Sequence, residues 1–332
     1  MKSFSRKTLR ILLVTSITLF ISLIMLIIYL QEKMPNEITN KQVIYYNNHE
    51  KDIKGLTKSI SDNKTSKAEI ASEEIATKEI NPDKAALQKD AVLDRRKIDA
   101  FDRNKIKVPN IGKEKFHSTF GRKVAFIYFS HNRESFLPYF KNGTTPEKAY
   151  HSELNVALIG ERLGNTLKSN GIWNRVSNVD IVTMLNERNL KFGSSYQMSR
   201  EVVINEKRIN PDLEMTFDIH RDALPRSLTT ININGESFAK ISFVIGSAHE
   251  NYKDNLNFTN GINEIIEKNY PGLSRGIIIK DNKQGNGVYN QDLLPSSVII
   301  EIGGVENNLE ELYRSADVLG NVISQYYWEN KH

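Results

Sequence analysis

The pattern of apolar and polar positions divides the chain into three parts. Residues 11–30 form an unbroken run of uncharged, mostly apolar positions. From residue 31 to about residue 111 the chain is rich in Lys, Glu, Asp, Ser, Thr and Asn, and it lacks the apolar stripe that a packed helix needs. From about residue 115 onwards, apolar runs of strand length alternate with segments of helical spacing. We therefore expect one folded domain at the C-terminal end.

The alternation within that domain predicts an α/β fold. Strands are predicted at 124–130, 175–182, 213–220, 276–280 and 296–304, and a hairpin at 229–246 turns at Asn234–Gly235. Helices are predicted at 152–172, 195–209, 257–270 and 306–328. Strands separated by helices indicate a central, mostly parallel sheet flanked by helices. Ligand sites in such sheets lie beyond the carboxyl ends of the strands.

The N-terminal run predicts a membrane anchor. It holds twenty uncharged positions, and about 20 residues at about 1.5 Å each cross about 30 Å of hydrocarbon. Lys2, Arg6, Lys7 and Arg10 precede it, which predicts a cytoplasmic N-terminus in a single-pass protein of the cell membrane. A cleaved signal peptide is the alternative, but its apolar region is shorter and ends at small residues. The predicted parts are 1–10 in the cytoplasm, 11–30 in the membrane, a disordered or partly helical extracytoplasmic linker at 31–114, and the domain at 115–332.

Composition excludes several classes of site. The chain of 332 residues has no cysteine, which rules out disulfides, zinc–thiolate sites, iron–sulfur clusters and cysteine nucleophiles. Its formal charge is +5, with basic residues spread along the chain instead of forming a stripe interleaved with aromatics. We therefore expect no nucleic-acid partner.

Ionisable residues follow three of the predicted strands. His131 and Glu134 come after the first strand, His220 ends the strand at 213–220, and Glu301 follows an apolar run in the last strand. Parallel strands bring such ends to one edge of the sheet. Two histidines and a carboxylate leave one position open on a tetrahedral zinc ion, which is the pattern of a catalytic site. Glu301 is then the candidate general base and acid.

Each of these residues also has a structural interpretation. A histidine at a strand end is often only hydrogen-bonded, and a carboxylate there can cap the next helix. Asp218 either holds His220 as a hydrogen-bond acceptor or is an ordinary polar residue of its strand. Arg221 either stabilises an oxyanion or pairs with Asp222.

Several stretches carry a resemblance to a known family. The motifs are "SHNRESFLP", "NVALIGERLGNTLKSNGI", "YQMSREVV", "FDIHRDALPR", "YPGLSRGIIIK", "YNQDLLPSSVIIEIGG" and "NNLEELYRSADVLGNVI". In this order and spacing, over about residues 120 to 328, the chain resembles the stage II sporulation protein P family of N-acetylmuramoyl-L-alanine amidases. The resemblance implies a zinc amidase fold with a central sheet flanked by helices.

The resemblance also implies roles for particular residues. The family holds zinc with two histidines and a glutamate, which match His131, His220 and Glu134, and a further glutamate, Glu301, serves in catalysis. Related wall amidases place the ligand glutamate at the start of the following helix, where Glu153 lies in this chain. The family often has His-Thr-His where this chain has Phe129-Ser130-His131, so the preceding histidine is absent here.

The implied reaction is hydrolysis of the amide between N-acetylmuramic acid and L-alanine in peptidoglycan, with a further endopeptidase action on peptide cross-links. The resemblance places it in septal thinning and engulfment during sporulation, with stage II sporulation proteins D and M as partners. Two alternatives stay open: a non-catalytic wall-binding scaffold that positions a partner hydrolase, and a zinc peptidase or deacetylase acting on another substrate.

Overall fold

A six-stranded sheet forms the centre of the fold. The computed structural model describes residues 90–99, 101, 106 and 117–330. The sheet has the order β2-β1-β3-β8-β6-β7, and a separate pair, β4-β5, forms a hairpin. The strands are β1 (Ala125–Tyr128), β2 (Asn174–Val176), β3 (Met215–Asp222), β4 (Thr230–Ile233), β5 (Glu236–Ala239), β6 (Ile241–Gly246), β7 (Ser274–Lys280) and β8 (Ser296–Gly304).

The sheet is mostly parallel, as the sequence predicts. Strands β2, β1, β3 and β8 run in one direction, and β6 and β7 run together in the opposite direction. Consequently the carboxyl ends of β1, β3 and β8 and the amino ends of β6 and β7 lie at the same edge of the sheet. This edge carries the candidate site.

Helices cover both faces of the sheet. The helices are α1 (Arg95–Asp99), α2 (Ala157–Ser169), α3 (Ile181–Glu187), α4 (Ser195–Ile209), α5 (Arg226–Thr229), α6 (Tyr252–Asn269) and α7 (Leu309–Glu329). Alternate residues of β1 belong to different cores, because successive side chains of a strand point to opposite faces. Ile127 packs in the main core, which includes residues of α2, α6 and α7, whereas Phe126 packs with Val203 of α4.

Local signals set the ends of several helices. Asn308 and Glu311 form a reciprocal capping box that begins α7. The chain leaves α2 through Gly171 at φ 83°, where an added Cβ would lie 2.0 Å from the carbonyl oxygen of His117. A strand was predicted at 175–182, but only Asn174–Val176 is extended, because Asp180 caps α3 by accepting from the N–H groups of Val182 and Thr183.

The region predicted as one hairpin contains two different structures. The turn at Asn234–Gly235 joins β4 to β5, as expected. The remainder, β6, leaves the hairpin and inserts into the main sheet between β8 and β7. Its side chains Phe243 and Ile245 are fully buried in the main core, which explains why this segment joins the large sheet.

Packing begins earlier in the chain than residue 115, the predicted start of the domain. Residues 90–99 fall within the predicted linker, yet Leu93 forms an antiparallel bridge with Phe140. The ring of Phe101 lies 5.4 Å from that of Tyr313, and Ile106 is buried in the main core. The polar composition of this region does not predict the docking. The docking uses main-chain hydrogen bonds and isolated apolar residues instead of a continuous apolar stripe.

The predicted location in the cell membrane requires correction. Among the residues that the structure describes, no helix is both long enough and apolar enough to cross a bilayer. The longest of them, α7, carries Glu310, Glu311, Arg314 and Asp317 in its first half. This finding overturns the single-pass location. The predicted anchor at 11–30, its cytoplasmic flank and most of the predicted linker lie outside the described residues.

Candidate metal centre

Three of the predicted site residues converge at one edge of the sheet. His131, Glu134 and His220 each offer a donor atom, and these atoms all lie within 4.8 Å of one another. His131 Nδ1 is 3.4 Å from Glu134 Oε1, and His220 Nδ1 is 3.5 Å from Glu134 Oε2. The glutamate therefore lies between the two imidazoles, each of which faces one of its oxygens.

The loop after β1 and the end of β3 position these three residues. A turn closes from the N–H of Glu134 to the carbonyl of His131, and it brings both side chains to the same side of the loop. Glu134 also forms a β-bridge with Tyr150, and the N–H of Arg221 donates to its carboxylate at 3.1 Å. The glutamate is thus held from two directions.

Hydrogen bonds fix which nitrogen of His220 faces the centre. Its Nε2 lies 2.9 Å from Ser130 Oγ and 3.2 Å from Asp218 Oδ1. The same oxygen of Asp218 accepts from the N–H of Ser130 at 2.8 Å. A carboxylate acceptor favours a proton on Nε2, so Nδ1 is the nitrogen that a metal would bind once the Nδ1 proton is displaced.

Charges within this cluster shift its pKa values in opposite directions. Burial lowers the pKa of His220, but the charges of Asp218 and Glu134 outweigh burial and hold it well above its usual value. For Glu134, burial raises the pKa, but His220 and His131 outweigh burial and bring it far below its usual value. The carboxylate is therefore ionised and fully available as an anionic donor.

Glu301 lies beside the three converging residues. It is the register partner of His220 across the parallel pair β3–β8, so both side chains project from the same face. Its Oε2 is buried and has no hydrogen-bond partner within the described part of the chain. Burial raises the pKa of Glu301 to about 8; His220 opposes this shift, and the charges of Asp222 and Glu134 add to it.

Arg221 directs its side chain away from this cluster. Its Nε donates to the carbonyl of Ser135 at 2.9 Å, and its two terminal nitrogens approach the carbonyls of Asp222 and Ala149 at 3.4 Å. The guanidinium also lies over the ring of Tyr150. It therefore ties the loop after β1 to the end of β3, and only its main-chain N–H reaches the converging residues.

Of the two glutamates considered as ligand, the structure brings Glu134 to the histidines. Glu153 is exposed and is not a member of the converging group, the only such cluster among the described residues. The N–H of Glu153 donates to Nδ1 of His151 at 3.0 Å. Helix α2 begins at Ala157, so Glu153 lies in the preceding loop and not on the helix.

Aromatic residues form a wall of the site that the sequence analysis did not identify. Phe192 stacks on the ring of His131 at 4.6 Å, and Tyr196 lies 5.4 Å from the same ring. Tyr289 packs edge-on against Tyr196 at 5.1 Å. Tyr196 is the first residue of the motif "YQMSREVV" near the start of α4, and this motif was the signal that could have identified Tyr196 as a site residue. The sequence around Phe192 contains no such signal.

The three converging side chains fit a zinc ion. Two imidazole nitrogens and one carboxylate oxygen are the ligands of a catalytic zinc with an open fourth position. Donor atoms about 2.0–2.2 Å from a tetrahedral centre lie roughly 3.3–3.6 Å apart. Each imidazole nitrogen lies at this spacing from one oxygen of Glu134, at 3.4 Å from Oε1 and at 3.5 Å from Oε2, and one donor atom from each residue lies within 4.8 Å of the others. The separations of 3.4 and 3.5 Å are longer than ordinary hydrogen bonds.

Comparison with known proteins identifies the family. The family model "Stage II sporulation protein P" matches residues 33–324 of the chain. The chain belongs to the stage II sporulation protein P family. A family member from Bacillus subtilis (strain 168), named Stage II sporulation protein P, is 42% identical over 212 residues. The match covers 64% of this chain and 53% of the relative, so the chain spans about half the length of that protein.

Solved structures similar to this chain include three amidases. An N-acetylmuramoyl-L-alanine amidase from Clostridium difficile 630 is 17% identical with a TM-score of 0.37, covering 64% of this chain and 99% of the other. An apo N-acetylmuramyl-L-alanine amidase from Mycobacterium abscessus is 12% identical with a TM-score of 0.33, covering 62% and 99%. The corresponding enzyme from Mycobacterium smegmatis is 12% identical with a TM-score of 0.34, covering 63% and 98%.

Proposed function

We propose that this protein is a zinc-dependent N-acetylmuramoyl-L-alanine amidase of peptidoglycan that acts in sporulation. The observation that carries the proposal is the convergence of His131, Glu134 and His220 within 4.8 Å, with Glu301 in register beside His220. Membership of a sporulation protein family supports the biological setting. The two histidines and Glu134 would hold the metal.

Each group of the chain has a distinct part in the proposed reaction. Zinc in such a site supplies a Lewis acid that polarises the amide carbonyl and acidifies water. Asp218 retains the proton of His220 at Nε2, so that Nδ1 remains a donor. Glu301 is paired in register with His220 and has a buried oxygen without a hydrogen-bond partner in the described part of the chain, so it would take a proton from the attacking water and return it to the leaving nitrogen.

Arg221 has a positioning part in this proposal. Its guanidinium contacts main-chain carbonyls, and its N–H holds Glu134. We therefore assign Arg221 to orienting the glutamate rather than to stabilising the oxyanion. Stage II sporulation proteins D and M are the partners that we propose from the family resemblance, with endopeptidase action on cross-links as a second activity of the same site.

The test is digestion of isolated sacculi by the purified full-length protein, with the products identified by mass spectrometry. Amidase action releases intact stem peptides with a free L-alanine amino group, and a chelator stops the release. Glu301→Gln should lower the rate by about 10²–10⁴-fold because it removes the general base and acid. Glu153→Gln is the matched control, since Glu153 is an exposed glutamate outside the converging group.

Other results would favour the other functions. Cleaved cross-links would identify an endopeptidase, and deacetylated sugars would identify a deacetylase. Sacculi that bind the protein without any product would favour the scaffold. Full activity of Glu301→Gln would contradict the role proposed for that residue.

A further inference from the structure

A segment far upstream of the sheet contacts the loop that carries the candidate metal ligands. Residues 90–94 form an extended stretch before α1 (Arg95–Asp99). The N–H of Ala91 donates to the carbonyl of Tyr150 at 3.0 Å, and the N–H of Lys141 donates to the carbonyl of Val92 at 3.0 Å. These bonds attach the segment at two points, Lys141 and Tyr150, to the connection between β1 and α2.

Only one chain segment separates this extended stretch from Glu134. Tyr150 accepts from Ala91 through its carbonyl and forms a β-bridge with Glu134. The N–H of Ser135 donates to the carbonyl of Ala149, which continues the same pairing. Ala91, Tyr150 and Glu134 therefore belong to three adjacent segments joined by main-chain contacts.

Asp90 adds a charged connection to the same loop. Its carboxylate accepts from the N–H of Ser152 at 2.9 Å and from the hydroxyl of Ser152 at 2.5 Å. It also lies 3.8 Å from a terminal nitrogen of Arg133 and 3.9 Å from Nε2 of His151. Arg133 lies between the two candidate ligands His131 and Glu134 in the sequence. Asp90 therefore contacts the turn that bears the ligands, through Arg133, and the later part of the same loop, at His151 and Ser152.

We propose that Asp90 is a positioning residue for the metal centre. Resting on the proposed zinc site, this inference holds that Asp90 helps to fix the turn from His131 to Glu134. It is hydrogen-bonded to Ser152 and lies at ion-pair distance from Arg133, whose guanidinium is also hydrogen-bonded to Asp180 at 2.6 Å. A loop with this connection loses less conformational freedom when a metal binds, because its ligands already face the centre. Nothing in the proposed reaction requires Asp90 to touch substrate.

The test measures metal binding by the full-length protein, independently of hydrolysis. The zinc dissociation constant is determined by competition with a chromophoric chelator, and the ligand geometry by the visible spectrum of the cobalt(II)-substituted protein. Asp90→Ala should weaken zinc binding, by less than the roughly 10–100-fold that follows loss of a group bonded directly to a ligand, and should alter the cobalt spectrum. Asp90→Asn retains an acceptor for Ser152 and should restore part of the affinity.

Asp94→Ala is the matched control. Asp94 lies in the same segment, and its carboxylate accepts from the exposed side chain of Arg96, so its loss should leave zinc affinity and the cobalt spectrum unchanged. Ser152→Ala removes one donor to Asp90 without altering the upstream segment, and it should produce a smaller loss in the same direction. This variant keeps the test decisive if Asp90→Ala does not fold.

The outcomes separate this inference from the proposed function. Zinc affinity and a cobalt spectrum equal to wild type in both Asp90→Ala and Ser152→Ala would overturn the positioning role while the amidase proposal stands. Wild-type protein that binds zinc but releases no product would overturn the amidase proposal, and a weakened Asp90→Ala would still support the positioning role.

Discussion

His220 on β3 and Glu301 on β8 are paired residues of two neighbouring parallel strands. The pairing places a candidate metal ligand and a candidate proton carrier on one face, next to each other, without a loop between them. Strands hold side chains more precisely than loops do. The positions of His220 and Glu301 are therefore set by sheet register, whereas His131 and Glu134 depend on the loop after β1.

The contact between Asp218 and His220 predicts an effect on metal affinity. Asp218→Asn replaces the acceptor of the Nε2 proton with an uncharged amide, so zinc should bind about 10–100-fold more weakly. The zinc dissociation constant is measured by chelator competition. Asp254→Asn, an exposed position in the first turn of α6, is the control and should bind as wild type does. Equal affinity in the two variants would argue against a supporting role for Asp218.

Binding of zinc to the folded state should stabilise the protein. At a zinc concentration about 100-fold above the dissociation constant, the free energy of unfolding should rise by about 2.7 kcal/mol. Thermal unfolding with and without zinc measures the change. His220→Ala removes one of the three donors and should lose most of the increase, as should His131→Ala. An undiminished increase in both variants would place the zinc elsewhere.

Asp180 predicts a pH dependence of stability. Burial raises its pKa, but hydrogen bonds from Arg133 and Asn132 outweigh burial and lower it. A lowered pKa in the folded state gives stability that is present above the unfolded value of about 3.9 and is lost as the pH falls through the lower folded value. Asp180→Asn keeps an N-cap residue but loses this charge.

We therefore expect Asp180→Asn to be less stable than wild type at neutral pH by at most about 1 kcal/mol, since the pair with Arg133 is partly exposed. The difference should shrink towards zero as the pH falls below the unfolded pKa of about 3.9. Urea unfolding at neutral and acid pH measures it. A gap that stays constant across this range would show that the carboxylate charge contributes nothing.

Two glycines allow backbone strain and steric clash to be separated. Gly171 and Gly143 have φ values of 83° and 90°, so alanine is strained at both positions. At Gly143 an added Cβ meets nothing within 4 Å, whereas at Gly171 it would lie 2.0 Å from the carbonyl oxygen of His117. Gly143→Ala should cost about 1–2 kcal/mol from strain alone. Gly171→Ala should cost a further 1–3 kcal/mol, roughly, from overpacking. Equal losses on chemical unfolding would contradict the clash.

Elements bounded by local signals agree closely with the sequence. The last strand lies at 296–304, as predicted, because its apolar run ends at two successive glycines. The helix at 195–209 also matches the prediction, because an Asn-Pro pair follows it. The strand ends then bring His131, His220 and Glu301 to one edge. Periodicity and the rule for parallel sheets were sufficient for these features.

Features that depend on long-range pairing were not predictable in this way. The local sequence does not predict that β6 leaves the hairpin and pairs antiparallel with β8. This pairing depends on the burial of Phe243 and Ile245 in the assembled core. Docking of residues 90–94 depends on main-chain hydrogen bonds, on Leu93 and on the carboxylate of Asp90, and these contacts leave no periodic pattern in the sequence. The orientation of the Arg221 side chain could be predicted in part. Arg221 directly follows His220 in β3, and successive side chains of a strand face opposite sides of the sheet.

The reversed direction of β6 and β7 has a consequence for how this architecture can be diversified. Because their amino ends share an edge with the carboxyl ends of β1, β3 and β8, the edge that carries the candidate site is built from connections entering strands as well as from connections leaving them. The β4-β5 hairpin is such an entering connection, since it leads into β6. Changes to this hairpin would therefore alter a connection into that edge while leaving the segments that bear His131, Glu134 and His220 unaltered.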